Sequence, residues 1–408
     1  MRKSLVQFLA VPVLLGLAIF AVGALPYSKY DRLLYGVILF IFITDIATIV
    51  RGKTRDAAVV LLSLLFGLMA AELLAIRLEA HPLSREPRDF IASDPVLGWG
   101  PARSGVFKAQ QFGPGATAVY NVSYTIDENL TRYTASASDG PLAAFFGDSM
   151  TFGEGLEDSE TLPQAFADIY ARRLRVLNLA FPGYGPQQFL RAIEAGRFDG
   201  LLQNGLKLIV YQTAPWHATR SSCKDGFTLR APKYELDADN LVYAGACAEG
   251  FMRAFREAIG NAAFYRVFLR PFAETLSATD IELYLAEIQK AAQLAKERYG
   301  AATAILYLPA GRDYLNASGF TDEAIANRLR AAGLQVVNGD LDPKDFPAGT
   351  ALSIPGDSHP SAIAQRARAE ILASALGPQL FGLPAQSTGM SAGLRQVFQH
   401  QGAGLPLN

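Results

Sequence analysis

Catalysis by a hydroxyl group requires a serine or threonine at the end of a rigid element, a base to take its proton, and a group that orients the base. One stretch meets the first requirement: Phe145-Phe146-Gly147-Asp148-Ser149-Met150-Thr151-Phe152-Gly153-Glu154-Gly155. A short apolar run enters it, and its glycines permit a tight turn that would expose Ser149 at the carboxyl end of a strand. Three other motifs are excluded. Thr151 stands where the elbow G-x-S-x-G needs its second glycine. No Gly-Lys-Ser/Thr follows, so the turn is not a phosphate-cradling loop. Gly183-Tyr184-Gly185 continues into Pro186-Gln187-Gln188 without the third glycine of a dinucleotide fingerprint.

The base must come from four histidines, His81, His217, His359 and His400. None lies in a paired metal-binding spacing, and two cysteines cannot make a four-thiolate zinc site, so neither a metal nor a cofactor is expected. Gly356-Asp357-Ser358-His359-Pro360-Ser361 offers an imidazole with a carboxylate beside it. A lone Asp-x-His is common by chance; combined with a Gly-Asp-Ser turn it suggests Ser149 as nucleophile, His359 as base and Asp357 as the group orienting it.

The elements that must carry these residues follow from the apolar pattern. After Pro141, short apolar runs at Leu142–Phe146, Val176–Leu179, Leu208–Tyr211, Ala304–Leu308 and Leu334–Val337 alternate with helical stretches near 160–173, 187–197, 280–298, 320–332 and 361–376. Strands that are apolar along their length, each followed by a helix, predict an α/β fold: a parallel sheet covered on both faces, with loops at the strands' carboxyl ends forming the site. Residues 88–140 alternate with the period of half-buried strands and predict a small β-rich element packed on the main domain, 141–380. Residues 213–275 interrupt the rhythm as an insertion, with a helix-like stretch around Phe251–Phe272, and would shape a cleft or lid. In an oxidising compartment Cys223 and Cys247 would pair and close it, a crosslink worth roughly 3 kcal/mol; two unpaired buried thiols are the alternative. The tail 382–408, rich in Gly, Gln, Ser and Pro, reads as disordered.

Three blocks in this order resemble the SGNH/GDSL hydrolases, over about residues 90–378. Gly147-Asp148-Ser149 with Gly153 is similar to the family's first block, Val176-Leu177-Asn178-Leu179-Ala180-Phe181-Pro182-Gly183 to the second, and Asp357-Ser358-His359-Pro360 to the last. The resemblance implies a three-layer, flavodoxin-like α/β/α sandwich, an esterase or acyltransferase acting on O-acyl esters, and main-chain N–H groups of Ser149 and Gly183 facing the oxyanion. The sequence departs from the family in two places. The family's third block carries an oxyanion Asn; here the strand runs into Gln212-Thr213-Ala214-Pro215-Trp216-His217, where Gln212 or His217 could donate instead. His217 could also line the substrate cleft or cap a loop. The last block is Asp-x-His where Asp-x-x-His is commoner.

The N-terminal eighty residues differ from all this. Ser4–Ser28, Leu33–Val50 and Ala57–Leu78 are apolar runs near the roughly 20 residues that cross a bilayer as a helix, so three spans are expected within 1–80. Arg2 and Lys3, then Arg51, Lys53 and Arg55, outweigh Lys29 and Arg32 of the first loop and put the N-terminus in the cytoplasm and the rest outside. Asp45 and Glu72 lie near span ends, within reach of Arg51 or Arg77, and need no transport role. Across 408 residues, 37 Lys and Arg balance 38 Asp and Glu, which argues against a surface for nucleic acid. The expected function is a membrane-anchored ester hydrolase or O-acyltransferase on acylated envelope glycan or lipid, with envelope-assembly proteins as partners. The alternative is a non-catalytic carbohydrate-binding or scaffold module.

Overall fold

The computed structural model describes residues 30–79, 84–85, 89–113, 117–237, 240–377 and 381–382. The first apolar run and the tail beyond residue 382 lie outside them. The chain forms two units, one of Met1–Pro82 with Ala254–Ala273, the other of Leu83–Arg253 with Glu274–Asn408.

In the first unit, α1 (Asp31–Ile49) and α2 (Lys53–Leu78) pack together, and both are long and apolar enough to cross a membrane. Two such helices lie among the described residues, against the three spans expected. They keep large apolar side chains on the outside, among them Leu39, Ile41, Leu64 and Phe66. Asp45 is exposed. Glu72 departs from the expected pairing with Arg77: it is buried, and its two carboxylate oxygens accept the backbone N–H groups of Ala263 and Phe264, each at 2.8 Å.

The second unit is built on five parallel strands: β3 (Leu142–Phe146), β4 (Arg175–Asn178), β5 (Leu206–Thr213), β8 (Ala302–Tyr307) and β9 (Gln335–Asn338), in the order β9-β8-β5-β3-β4. Alternation along the strands divides the core. Ala144, Phe146, Ile209, Tyr211 and Ile305 face a layer containing α4 (Pro186–Glu194), α6 (Ala278–Tyr299) and α7 (Asp322–Ala331). Ala143, Phe145, Leu208, Val210, Ala304 and Leu306 face α3 (Leu162–Ile169) and α8 (Ala362–Leu376). The result is a three-layer α/β/α arrangement. Helix starts follow local chemistry: Thr161 and Ser361 cap α3 and α8, and Ser277 forms a reciprocal cap with Asp280 at α6.

Before the sheet, β1 (Gly105–Phe112) and β2 (Ala118–Ile126) form an antiparallel hairpin whose Phe107, Tyr124 and Ile126 join the first core layer. Within 213–275, β6 (Pro232–Asp237) and β7 (Asn240–Ala246) pair antiparallel, and a disulfide joins Cys223 to Cys247. Helix α5 (Gly250–Gly260) follows. The helix-like stretch expected to shape a cleft or lid leaves this unit: residues 254–273 fold with α1 and α2.

Candidate active site

Leaving β3, the chain turns at Gly147 with φ +155°, where a Cβ would lie 2.2 Å from Thr151 Oγ1. Only glycine fits the turn. Asp148 then caps the four-residue helix Ser149–Phe152, its carboxylate accepting the Met150 N–H at 3.0 Å. Ser149 thereby opens that helix at the carboxyl end of a central strand. On the loop between β9 and α8, His359 is fixed by its carbonyl, which accepts the Ile354 N–H, and by a bridge between Ser353 and Pro360. His359 Nε2 lies 2.8 Å from Ser149 Oγ, and its Nδ1 lies 2.5 Å from Asp357 Oδ1. The three residues picked from spacing form one hydrogen-bonded line.

The hairpin supports this line from residues that sequence spacing does not single out. Gln111, buried on β1, donates from Nε2 to Asp357 Oδ2 at 2.6 Å, and the Tyr124 hydroxyl on β2 accepts the Gly155 N–H at 2.8 Å. Arg132 stacks over Tyr124 and Phe152 and bonds to Asp158, bracing the segment that follows Ser149. Burial alone would raise the Asp357 carboxyl; hydrogen bonds from the His359 ring and backbone and from Gln111 instead hold it well below the ordinary carboxylate range. Burial likewise opposes charge on His359, yet the bond to Asp357 and the fields of Glu154, Asp357 and Asp148 raise its pKa above 6.5. Glu154 is buried, with Oε2 3.8 Å from His359 Nε2, so the imidazole faces carboxylates at both nitrogens.

Gly183, with φ +83°, follows β4, and a Cβ there would meet Phe227 and Trp99 at 3.2 Å. Among the described residues, the N–H groups of Gly183 and Ser149 have no internal acceptor. Gln212, at the end of β5, accepts the Thr151 hydroxyl on its side-chain oxygen at 3.0 Å, and its buried Nε2 has no partner.

His217 does not reach a cleft, and the substrate-facing reading of it is corrected. The residue is 2% exposed, with Nε2 3.0 Å from Asp148 Oδ2 and Nδ1 3.1 Å from Thr213 Oγ1. It folds inward because Pro215–His217 makes a single tight turn directly after β5. Arg220 donates to the same Asp148 oxygen at 3.0 Å and to the Tyr184 carbonyl at 2.6 Å. Burial and Arg220 lower the His217 pKa, against the opposing pull of Asp148. For Asp148, burial is outweighed by the bonds from His217, Arg220 and Met150, and its pKa falls well below the ordinary range.

An open cavity of about 500 Å³ is walled by Met150, Trp216, Ser358, Pro360, Asp340 and Arg368, so it reaches the chain neighbours of Ser149 and His359 and not those two side chains themselves. Among the described residues no group of three or more His, Cys, Asp or Glu side chains is placed to hold a metal ion.

No family model matches the sequence, and no curated protein matches it. Solved structures of GDSL and SGNH proteins are similar to it. One assigned to the G-D-S-L lipolytic family from Desulfitobacterium hafniense is 12% identical, covering 58% of this chain and 99% of that one with a TM-score of 0.35. A carbohydrate acetylesterase family member from Sinorhizobium meliloti is 11% identical over 60% of this chain and 100% of that one, TM-score 0.33. AlinE4, an SGNH-hydrolase family esterase, is 13% identical over 53% and 88%, TM-score 0.28.

Proposed function

We propose that this protein is a serine ester hydrolase or O-acyltransferase of the SGNH type, anchored in a membrane and acting through an acyl-serine intermediate. The observation that carries the reading is the line Ser149 Oγ, His359 Nε2, His359 Nδ1, Asp357 Oδ1, with contacts of 2.8 and 2.5 Å. Binding alone does not require it.

His359, neutral and held by Asp357, takes the Ser149 proton as Oγ attacks the ester carbonyl carbon. The tetrahedral oxyanion is received by the N–H groups of Ser149 and Gly183; removing one donor of this kind costs roughly 3–4 kcal/mol of barrier. The intermediate collapses, the C–O bond to the alcohol breaks, and His359 returns the proton to the departing oxygen. Water or a second alcohol then attacks the acyl-serine by the reverse sequence, releasing acid or a new ester. Gln212 Nε2, buried without a partner, is the candidate third donor in place of the missing Asn.

The substrate class follows from setting. Two apolar helices of membrane-crossing length favour a tethered enzyme, and the Cys223–Cys247 disulfide favours an oxidising compartment outside the cytoplasm. O-acylated, especially O-acetylated, envelope glycan or lipid lies within reach of a site so placed.

The test is hydrolysis of a chromogenic acetate ester by the full chain in detergent micelles, with Ser149→Ala alongside. Turnover that disappears in the variant supports acyl-serine chemistry, and adding oligosaccharide acceptors then separates transfer from hydrolysis. A folded wild type that neither turns over nor labels at Ser149 with a serine-directed phosphonate overturns the reading in favour of a binding module.

A further inference from the structure

The stretch 254–273 interrupts the hydrolase unit and folds with the two apolar helices instead. Three contacts tie it there. Ala263, Phe264, Val267 and Phe268 form an apolar cluster with Ala75 and Ile76 of α2 and Leu33 of α1. The Glu72 carboxylate accepts the N–H groups of Ala263 and Phe264, which open a helical turn and have no helical acceptor of their own. Arg266 makes a two-pronged ion pair with Glu79, at 2.6 and 2.8 Å.

The segment exposes large apolar side chains alongside Glu257, Asn261 and Arg270. Phe272 is 80% exposed and Leu269 is 45% exposed, and α2, on which the segment packs, also exposes Leu64, Phe66, Leu68, Leu73 and Leu74. Its composition is also unusual for a water-facing helix: residues 254–273 hold Phe255, Phe264, Tyr265, Phe268 and Phe272 with Arg256, Arg266 and Arg270, against one acidic residue, Glu257. Aromatic rings with arginines on an amphipathic helix suit the boundary between acyl chains and headgroups. Depth agrees: Glu72 stands six residues before the end of α2, about 9 Å along the axis from Leu78 at the helical rise.

We propose that residues 254–273 form an interfacial membrane element, seated in the boundary layer of the lipid bilayer with Leu269 and Phe272 in the acyl region and pinned to α2 by Glu72. The bilayer is the occupant because the segment packs on a helix long enough to cross one and exposes large apolar side chains of its own. This assigns Glu72 a role: an acid deep in an apolar helix is costly unless satisfied, and here it satisfies two N–H groups in return. The inference rests on the reading that α1 and α2 span a membrane.

Nitroxide labels on the full chain in phosphatidylcholine nanodiscs, read by electron paramagnetic resonance, test both. Labels go at Phe272→Cys, at Leu64→Cys on α2, and at Glu323→Cys, exposed on the hydrolase unit, with the native disulfide kept oxidised. The expected oxygen-to-nickel collision ratio is highest at Leu64, intermediate at Phe272 and lowest at Glu323. A Phe272 ratio equal to that at Glu323, while Leu64 keeps its high ratio, overturns the interfacial element and leaves the anchor standing. A Leu64 ratio as low as that at Glu323 overturns the anchor and the proposal together.

Discussion

Two histidines of the second unit each bond an aspartate, and the two pairs are opposites. His359, partly buried, lies between Asp357 at Nδ1 and Glu154 at Nε2, with Ser149 Oγ 2.8 Å from Nε2. His217 is sealed beneath the nucleophile turn, with both nitrogens engaged and the Arg220 guanidinium sharing its aspartate. Carboxylates around the first raise its pKa; burial and a cation beside the second lower it. On the proposed reading the first pair carries a proton and the second braces the turn above it. Burial opposes charge on both rings, and a third charged group, Glu154 or Arg220, adds to the difference between them.

The largest effects should separate the two by kind. His359→Ala is expected to lower turnover about 10⁴- to 10⁶-fold while shifting the melting temperature little. His217→Ala should do the reverse, costing about 1–3 kcal/mol of stability through unpaired buried groups on Asp148 and Thr213, with a smaller loss of turnover. Kinetics and thermal melts on both variants suffice. A fully stable, inactive His217→Ala beside an active His359→Ala would invert the comparison and remove the proposed base.

Gln111 tests whether the strand hairpin matters to chemistry. Its bond to Asp357 holds the carboxylate from the side opposite His359. Gln111→Ala should lower kcat roughly tenfold, the equivalent of about 1.4 kcal/mol, with KM little changed. An unchanged kcat would assign Asp357 all of its orientation to its own loop.

The pH profile sharpens the third-charge argument. Because only neutral His359 can accept the serine proton and its pKa is raised, kcat/KM should climb with pH through a midpoint above 6.5. Glu154→Gln removes one of the raising charges, so its midpoint should move to lower pH. A midpoint that stays put would exclude Glu154 from the field that tunes the base.

Sequence carried the local parts of this site. Gly147-Asp148-Ser149 and Asp357-Ser358-His359 are each short enough that turn chemistry and residue type reveal them, and the five apolar runs predict the parallel sheet because buried strands have no polar face to hide. What was not legible depends on long-range pairing. Gln111 meets Asp357 across 246 residues, and on β1 nothing distinguishes it from Gln110, which bonds Asn121. His217 looked cleft-facing because it follows a strand's carboxyl end; the turn at Pro215 swings it under Asp148. The stretch 254–273 looked like part of a lid because its helical pattern carries no sign of which unit it joins.

The smallest effect is the most discriminating, because the two imidazoles should tilt stability in opposite directions. His217, with its folded pKa below 6.5, leaves the unfolded chain binding more protons as pH drops; the stability it contributes is present above 6.5 and lost as pH falls toward its folded value. His359, with its folded pKa above 6.5, binds the proton more tightly when folded; its contribution is full below 6.5 and lost as pH rises through its folded value. Denaturant midpoints measured on both sides of 6.5 should therefore flatten on the acid side in His217→Gln and on the alkaline side in His359→Gln. If both variants flatten the same side, the two rings share one electrostatic environment, and Arg220 does not set them apart.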